Sequence, residues 1–229
     1  MTRRGLFGML TGAAAILLAG CGRRIEKFRY RVTVEVSTSN GLRAGSSVQE
    51  FEHAGRIPWL PGGDSFMTRI RGEAVAVDLG DDILFMLMQF DSDRLIECAI
   101  RYGRSTLPVE EAEIRKWPST RVGLLRSLSK AGARIILDAN PPPPYGLDAV
   151  PWMRFRDLNE PASFERVDPR DLSASFGRSV RLERLIISFG NETMTADLNR
   201  HLKWLNDVVY NEASPGGVGL PYELRGLKN

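Results

Sequence analysis

Apolar and polar positions alternate most clearly over Phe28 to Val36, FRYRVTVEV, where Phe28, Tyr30, Val32, Val34 and Val36 interleave with Arg29, Arg31, Thr33 and Glu35. A period of two predicts a strand with one buried and one wet face. Asn40-Gly41 follows as a turn signal, because both residue types accept positive φ. Ser46 to Glu52 reads as the weaker returning strand of a hairpin. His53 to Asp64 carries Gly55, Pro58, Pro61, Gly62 and Gly63 and is expected to be a loop. Arg69 to Leu79 alternates again, with Gly72 breaking the pattern as a bulge would. Gly80-Asp81-Asp82 is a turn. The apolar run from Ile83 to Phe90 fits a strand buried on both faces. Period alone leaves a buried helix open, but the short turn before the run favours a hairpin. Residues 28–90 are therefore expected to hold the sheet core.

Further along, Glu110, Glu111 and Glu113 suggest a solvated first helical turn or a loop. Ser119 or Thr120 is placed to cap a helix running to Ala131, with Val122, Leu125 and Leu128 on one face and Gly132 ending it. Arg134 to Leu137 and Trp152 to Phe155 read as short strands. Between them Pro141 to Pro144 must be extended and lack backbone donors; this marks either a sub-boundary near 140–150 or an exposed binding ridge. Val180 to Phe189 is another strand, its alternation slipping near Arg184. Thr195 is placed to cap a helix from Ala196 to Tyr210 with the stripe Leu198, Leu202, Leu205 and Val209. The pattern as a whole predicts a β-rich α+β fold: an antiparallel sheet or sandwich-like core with two or three short helices.

The first twenty-one residues are of a different kind. Arg3 and Arg4 form a positive start, Leu6 to Ala19 is mostly apolar, and small residues precede Cys21. This is the grammar of a secretory signal. Leu18-Ala19-Gly20-Cys21 closely resembles the lipobox of bacterial lipoproteins. That resemblance implies a diacylglycerol on the Cys21 thiol, cleavage between Gly20 and Cys21, and acylation of the new amine. Two or three acyl chains anchor stably where one does not. Thr2-Arg3-Arg4-Gly5-Leu6-Phe7 also resembles a twin-arginine export signal. Gly22, rather than Asp, after the cysteine implies by the same resemblance release to the outer membrane. The expected organisation is a signal peptide over 1–20, a tether over 21–27 and a β-rich globular domain over 28–229. Arg23, Arg24 and Lys27 of the tether either touch anionic lipid or are simply solvated. No later stretch is long and apolar enough to span a bilayer.

Charge narrows the partners. Of 31 Lys and Arg only Arg3 and Arg4 precede Cys21, and none of the 28 Asp and Glu does. The remainder is nearly neutral, so no nucleic-acid partner is expected. With Cys21 lipidated, the other cysteine, Cys98, has no disulfide partner within the chain.

Candidate chemistry is thin. Two histidines, His53 and His201, fall short of a zinc site, which needs at least three converging ligands. Ser127-Leu128-Ser129-Lys130 matches the S-x-x-K of penicillin-binding enzymes, but S-D-N and K-T-G are absent. Asp78, Asp81, Asp82, Asp91 and Asp93 invite calcium or glycosidase readings. Asp81 and Asp82 read better as turn residues, and Asp91 with Asp93 as a strand end. Trp59, Trp117, Trp152 and Trp204 read as core before they read as a ligand platform. Gly45 to Val48, Gly72 to Leu79 and Asp168 to Leu172 resemble stretches of uncharacterised bacterial proteins, which implies no function. No catalytic residue, metal or cofactor is assigned. The expectation is a membrane-anchored envelope lipoprotein, facing the periplasm from the outer membrane, that binds a protein or ligand without catalysis. An envelope hydrolase with a site assembled from scattered residues is the alternative, favoured if Ser, His and Asp meet in one cleft.

Overall fold

The computed structural model describes residues 25–54, 67–88, 92–110, 120–139, 147, 150–206, 224 and 227. The chain divides into two compact units, Met1–Glu26 with His53–Thr68, and Lys27–Glu52 with Arg69–Asn229. Of the first, only residues at the ends of strands are described; the sheets and helices are those of the second. The signal peptide, Gly20, Cys21, Trp59, Trp117, Asp91 and the prolines at 141–144 lie outside the described residues.

Among the described residues ten strands form two antiparallel sheets: β1 Ile25–Thr38, β2 Gly41–Ala54, β3 Met67–Arg71, β4 Val75–Asp78, β5 Ile83–Met86, β6 Arg104–Ser105, β7 Arg134–Asp138, β8 Trp152–Phe155, β9 Phe164–Arg166 and β10 Arg181–Gly190. The six-stranded sheet has the order β3-β2-β1-β10-β7-β6 and the four-stranded sheet β4-β5-β8-β9. Three helices are described: α1 Ser92–Tyr102, α2 Arg121–Ala131 and α3 Leu172–Phe176. The β-rich α+β architecture read from the sequence is the one found.

The period-two pattern of β1 is met residue for residue: Phe28, Tyr30, Val32, Val34 and Val36 are buried and the intervening side chains only partly so. The hairpin to β2 turns one residue earlier than the Asn-Gly signal suggests. Ser39 and Asn40 make the turn, and Gly41 opens β2 with φ at 104°. Thr38 Oγ1 accepts from Asn40 N at 3.2 Å and donates to Gly41 O at 2.9 Å. Asn40 thus needs no positive φ, and only Gly41 takes one.

The slip near Arg184 is a bulge. Opposite β1, Glu35 pairs with Arg184 and Val36 with Leu182, which leaves Glu183 as the extra residue. One added residue moves the apolar phase from Val180 and Leu182 to Leu185, Ile187 and Phe189, and the register shift returns both sets to the same face.

The alternating stretch from Arg69 to Leu79 is not one bulged strand but two strands in different sheets. Gly72 sits at φ 135°, where a side chain is strained. Its absent Cβ would lie 3.2 Å from Val48 O. The chain turns there, leaves β2 and enters the second sheet as β4. In that sheet β5 lies between β4 and β8, with Val75 opposite Met86 and Phe85 opposite Met153.

Both faces of β5 are covered, as its unbroken apolar run requires. Leu84 and Met86 belong to the main core with β1, β10, β7, α1 and α2. Ile83, Phe85 and Leu87 belong to a second cluster with Met153, Phe155, Leu198, Leu202 and Leu205. The two sheets meet closely where a Cβ on Gly45 would come within 2.0 Å of Ala76 O, so only glycine fits that crossing.

Two helical expectations need correction. Helix α2 ends as expected at Gly132, in the left-handed conformation, with its N–H on the carbonyls of Leu128 and Ser129. Thr120 precedes it but makes no side-chain cap bond. The helix expected from Ala196 to Tyr210 is two 3-10 turns, Leu198–Arg200 and Lys203–Asn206; residues 207–210 lie outside the described set. Thr195 does not cap it, because its hydroxyl accepts from Val48 N at 2.8 Å while its own N–H donates to Val48 O at 3.3 Å. Docking to β2 replaces capping. Leu198, Leu202 and Leu205 are still buried, against the second sheet.

Conversely, α1 is a helix where the sequence reads as a strand end. Leu95, Ile96, Cys98 and Ala99 are buried, and Glu97 and Arg101 pair at 2.7 Å one turn apart.

Val34 is fully buried between sheet neighbours. Val34→Asp should cost several kcal/mol by burying a carboxyl group in an apolar core. Urea unfolding measures this, and a loss below about 0.5 kcal/mol would contradict the assignment of that face.

Candidate functional site

A cleft of about 540 Å³ opens beside the crossing of the two sheets. Four stretches of chain supply its walls. Arg31 comes from β1 and Ala44, Gly45 and Ser46 from β2. Ala74, Ala76 and Asp78 come from the entry to β4 and its strand. The segment from Thr195 to His201 closes the remaining side. Small residues at 44, 45, 74 and 76 leave space there, and the polar groups come from the segments at either side.

The position of the last segment follows from a buried acid. Glu73 is 2% exposed, and its Oε2 accepts from Leu198 N at 2.8 Å. Its carbonyl accepts from Ser47 Oγ at 2.8 Å. The next residue, Ala74, donates its N–H to Leu227 O at 2.9 Å. Thr195 on Val48 and Leu198 on Glu73 therefore fix both ends of a four-residue stretch whose next residues, Arg200 and His201, reach the cleft. A buried carboxyl is retained only where donors meet it, and the Leu198 amide is such a donor.

The charged groups of the cleft are already engaged with one another. Arg31 Nη2 lies 2.7 Å from Glu192 Oε2, and Arg31 Nη1 donates to Ser46 Oγ at 3.0 Å. Arg200 Nη2 lies 2.5 Å from Asp197 Oδ2. Asp78 Oδ1 accepts from Gly80 N at 2.8 Å, as the first residue of the turn between β4 and β5. Among the described residues, the imidazole of His201 makes no hydrogen bond to a hydroxyl or carboxylate. Ser46 meets an arginine instead.

From the cleft a row of ion pairs continues over the same sheet. Lys27 Nζ lies 3.1 Å from Glu50 Oε1 and 3.6 Å from Glu52 Oε2. Arg29 Nε donates to Glu50 Oε2 at 3.0 Å, and Arg71 Nη2 reaches Glu52 Oε2 at 3.3 Å. Burial pushes the Glu50 pKa upward, but hydrogen bonds and charge from Lys27 and Arg29 outweigh it and hold the group below its ordinary 4.5.

The other residues singled out in the sequence are dispersed. His53 lies on β2, is buried, and is not among the residues of the cleft. Ser127 and Lys130 lie on the outer side of α2, with Ser127 Oγ on Gly123 O at 3.1 Å. Asp81 and Asp82 lie in the turn after β4, where Leu79 N donates to Asp82 O at 2.9 Å. Among the described residues no three His, Cys, Asp or Glu side chains converge as metal ligands would. Trp152 is buried with its Nε1 on Leu147 O at 3.0 Å, and Trp204 sets its Nε1 on Leu158 O at 2.8 Å. The two pack in different core clusters rather than as one platform. Cys98 is fully buried, and burial, with Glu97 beside it, pushes its thiol up to about 11. It is poorly suited to act as a nucleophile.

Arg31, Ser46, Thr195, Asp197 and Arg200 are the site residues that the sequence did not disclose. Each is an ordinary surface residue in its own stretch. Glu73 did leave a signal, an acid inside an otherwise apolar alternation. Comparison of the chain with protein-family models, with curated proteins and with solved structures finds no match.

The lowered Glu50 pKa sets a pH dependence. A carboxyl more acidic in the folded state stabilises the protein above its unfolded pKa, and that stability is lost as pH falls through the folded value. Below pH 4.5 the native protein should lose melting temperature more steeply than Glu50→Gln, and the two should run parallel near pH 7. Parallel curves across the whole range would refute the role given to Lys27 and Arg29.

Proposed function

We propose that the chain is a lipid-anchored envelope protein, held by acyl chains on Cys21, whose folded domain is a binding module for a polar ligand or partner. The observation that carries the anchor is Leu18-Ala19-Gly20-Cys21 at the end of a basic start and an apolar run, with β1 beginning at Ile25. Lipidation at that position leaves the whole sheet on the mature side of the cut. The export route and the leaflet follow only from resemblance: Gly22 after the cysteine favours an outer-membrane protein facing the periplasm.

Binding rather than catalysis is supported by how the cleft is built. Arg31 and Arg200 are oriented by Glu192, Ser46 and Asp197. Preorganised charges of both signs suit recognition of a polar group, since their geometry is set before the ligand arrives. Small side chains on β2 and β4 leave space between them. Among the described residues the lining has no aromatic side chain except the imidazole of His201, so the recognition proposed here rests on charge and hydrogen bonding.

One observation favours a second reading, an envelope hydrolase: His201 shares the cleft with Ser46, Asp78 and Asp197. General acid–base work needs the base within about 2.6–3.2 Å of the proton it moves, although such bonds often tighten only when substrate is bound.

Both readings are tested in the native host with two variants. Cys21→Ser should take up no labelled fatty acid and leave the membrane fraction. His201→Gln should remain anchored and keep the cellular phenotype of the native protein. A Cys21→Ser protein that stays processed and membrane-bound would defeat the anchor. A folded, correctly localised His201→Gln protein without the phenotype would make the hydrolase the better reading.

A further inference from the structure

We propose that the outer face of the six-stranded sheet, at β1, β2 and β3, is a docking face for anionic phospholipid headgroups that lays the domain flat against the bilayer. The proposal rests on the reading of Cys21 as the lipidated residue.

The face is defined by alternation. Phe28, Tyr30 and Val32 turn into the core, so Lys27, Arg29 and Arg31 stand on the opposite side of β1. Arg71 joins them, because it reaches the same Glu52 as Lys27. Arg69 is exposed and lies two residues earlier on β3, hence on the same face. Five cations of these strands thus share this surface with four carboxylates, Glu35, Glu50, Glu52 and Glu192, of which Glu35 is held by Arg184 of β10.

The two signs differ in depth. The Glu50 and Glu52 side chains are 5% and 16% exposed, whereas Lys27, Arg29, Arg31 and Arg71 are 37–47% exposed. The acids lie beneath and fix the cations above them. Glu35 is also sunken, at 14%, so of the four carboxylates only Glu192 is accessible, at 55%, and Arg31 holds it at 2.7 Å. A guanidinium carries five N–H donors. Arg29 directs Nε to Glu50 and Nη1 to Glu192 O at 3.4 Å, which leaves further donors for a phosphate.

The covalent chain brings this row to the membrane. The four steps from Cys21 to Ile25 span at most about 15 Å, and Arg23 and Arg24 lie among them. The row starts at Lys27, two residues into β1. Headgroup charge is felt within about 8–10 Å at physiological salt. A sheet standing on end would bring only the tether and Lys27 that close. A sheet lying on its outer face brings all five cations, and the one-sided placement of the charge favours that pose. The near-neutral mature chain makes the attraction local to this face rather than general.

The test uses the full lipidated protein, extracted from membranes and with lipid on Cys21 established by mass. Thr33→Cys places a fluorophore on the same face of β1, and Asn159→Cys places one in the exposed turn after β8. Cys98 is fully buried and does not compete for the label. The proteins are reconstituted into phosphatidylcholine vesicles with or without phosphatidylglycerol, each carrying headgroup-nitroxide lipid as quencher. Quenching at Thr33 several-fold greater with phosphatidylglycerol, abolished at high salt and absent at Asn159, is the expected result. Equal quenching in both vesicles, or none at Thr33 with Cys21 lipidated, overturns the docking face and leaves the anchor standing. Shielding of Thr33 only in native envelope membranes assigns the face to a protein partner and equally overturns the proposal. Absence of lipid on Cys21 removes the reading beneath it.

Discussion

The chain passes from one sheet to the other at Gly72, Glu73 and Ala74, and the rest of the described structure is organised around that crossing. Three residues carry it by different means. Gly72 supplies a backbone turn at φ 135°. Glu73 supplies a buried carboxyl for Leu198 N and a carbonyl for Ser47 Oγ. Ala74 supplies an N–H for Leu227 O. Without the turn, residues 69–79 would continue as one strand, and the second sheet would have no first strand. Without the carboxyl, a buried N–H on the C-terminal segment would have no acceptor.

The cleft is a product of the same crossing. Where β3 leaves β2, Thr195 takes its place against Val48, and the segment that follows is held on Glu73. The space between that segment, the early part of β2 and β4 is the cleft. Gly45 allows the two sheets to approach at its edge. The position of Arg200 and His201 is therefore set by backbone and buried polar contacts, not by the ion pairs at the surface, which contribute little when exposed. The row of Lys27, Arg29, Arg31 and Arg71 differs, because Glu50, buried, and Glu52, partly buried, lie beneath it and each serves two cations.

What was legible in the sequence was whatever a single stretch of chain decides for itself. The alternation of β1, the two-sided burial of β5 and the end of α2 at Gly132 all follow from local period and local chemistry. So does the bulge opposite Glu35, visible as a phase slip in Val180 to Phe189. What was not legible depends on a partner distant in the chain. Thr195 has the composition of a helix cap and becomes a strand partner because Val48 needs one. Gly72 reads as a bulge from its neighbours alone, and only the separate sheets show it as the end of one strand and the approach to another. Helix α1 is obscured for a different reason. Its Ser-Asp start is a helix signal, but its position after a long apolar run makes it look like a strand end. The cleft was illegible because its polar residues come from four separated stretches, and no spacing relates Arg31 to Arg200.

The central role of the crossing is tested most directly by amide hydrogen exchange at Leu198 in the Glu73→Leu protein. Leucine is comparable in size to glutamate, somewhat bulkier, and offers no acceptor, so the hydrogen bond to the C-terminal segment is removed. Protection at Leu198 should fall about tenfold, the equivalent of ~1.4 kcal/mol for one buried hydrogen bond. The amide of Ala133, bonded to Leu128 O at 2.9 Å, should keep its native protection. Unchanged exchange at Leu198 would contradict the account, because the segment that closes the cleft would then be held by something other than the acid at the crossing.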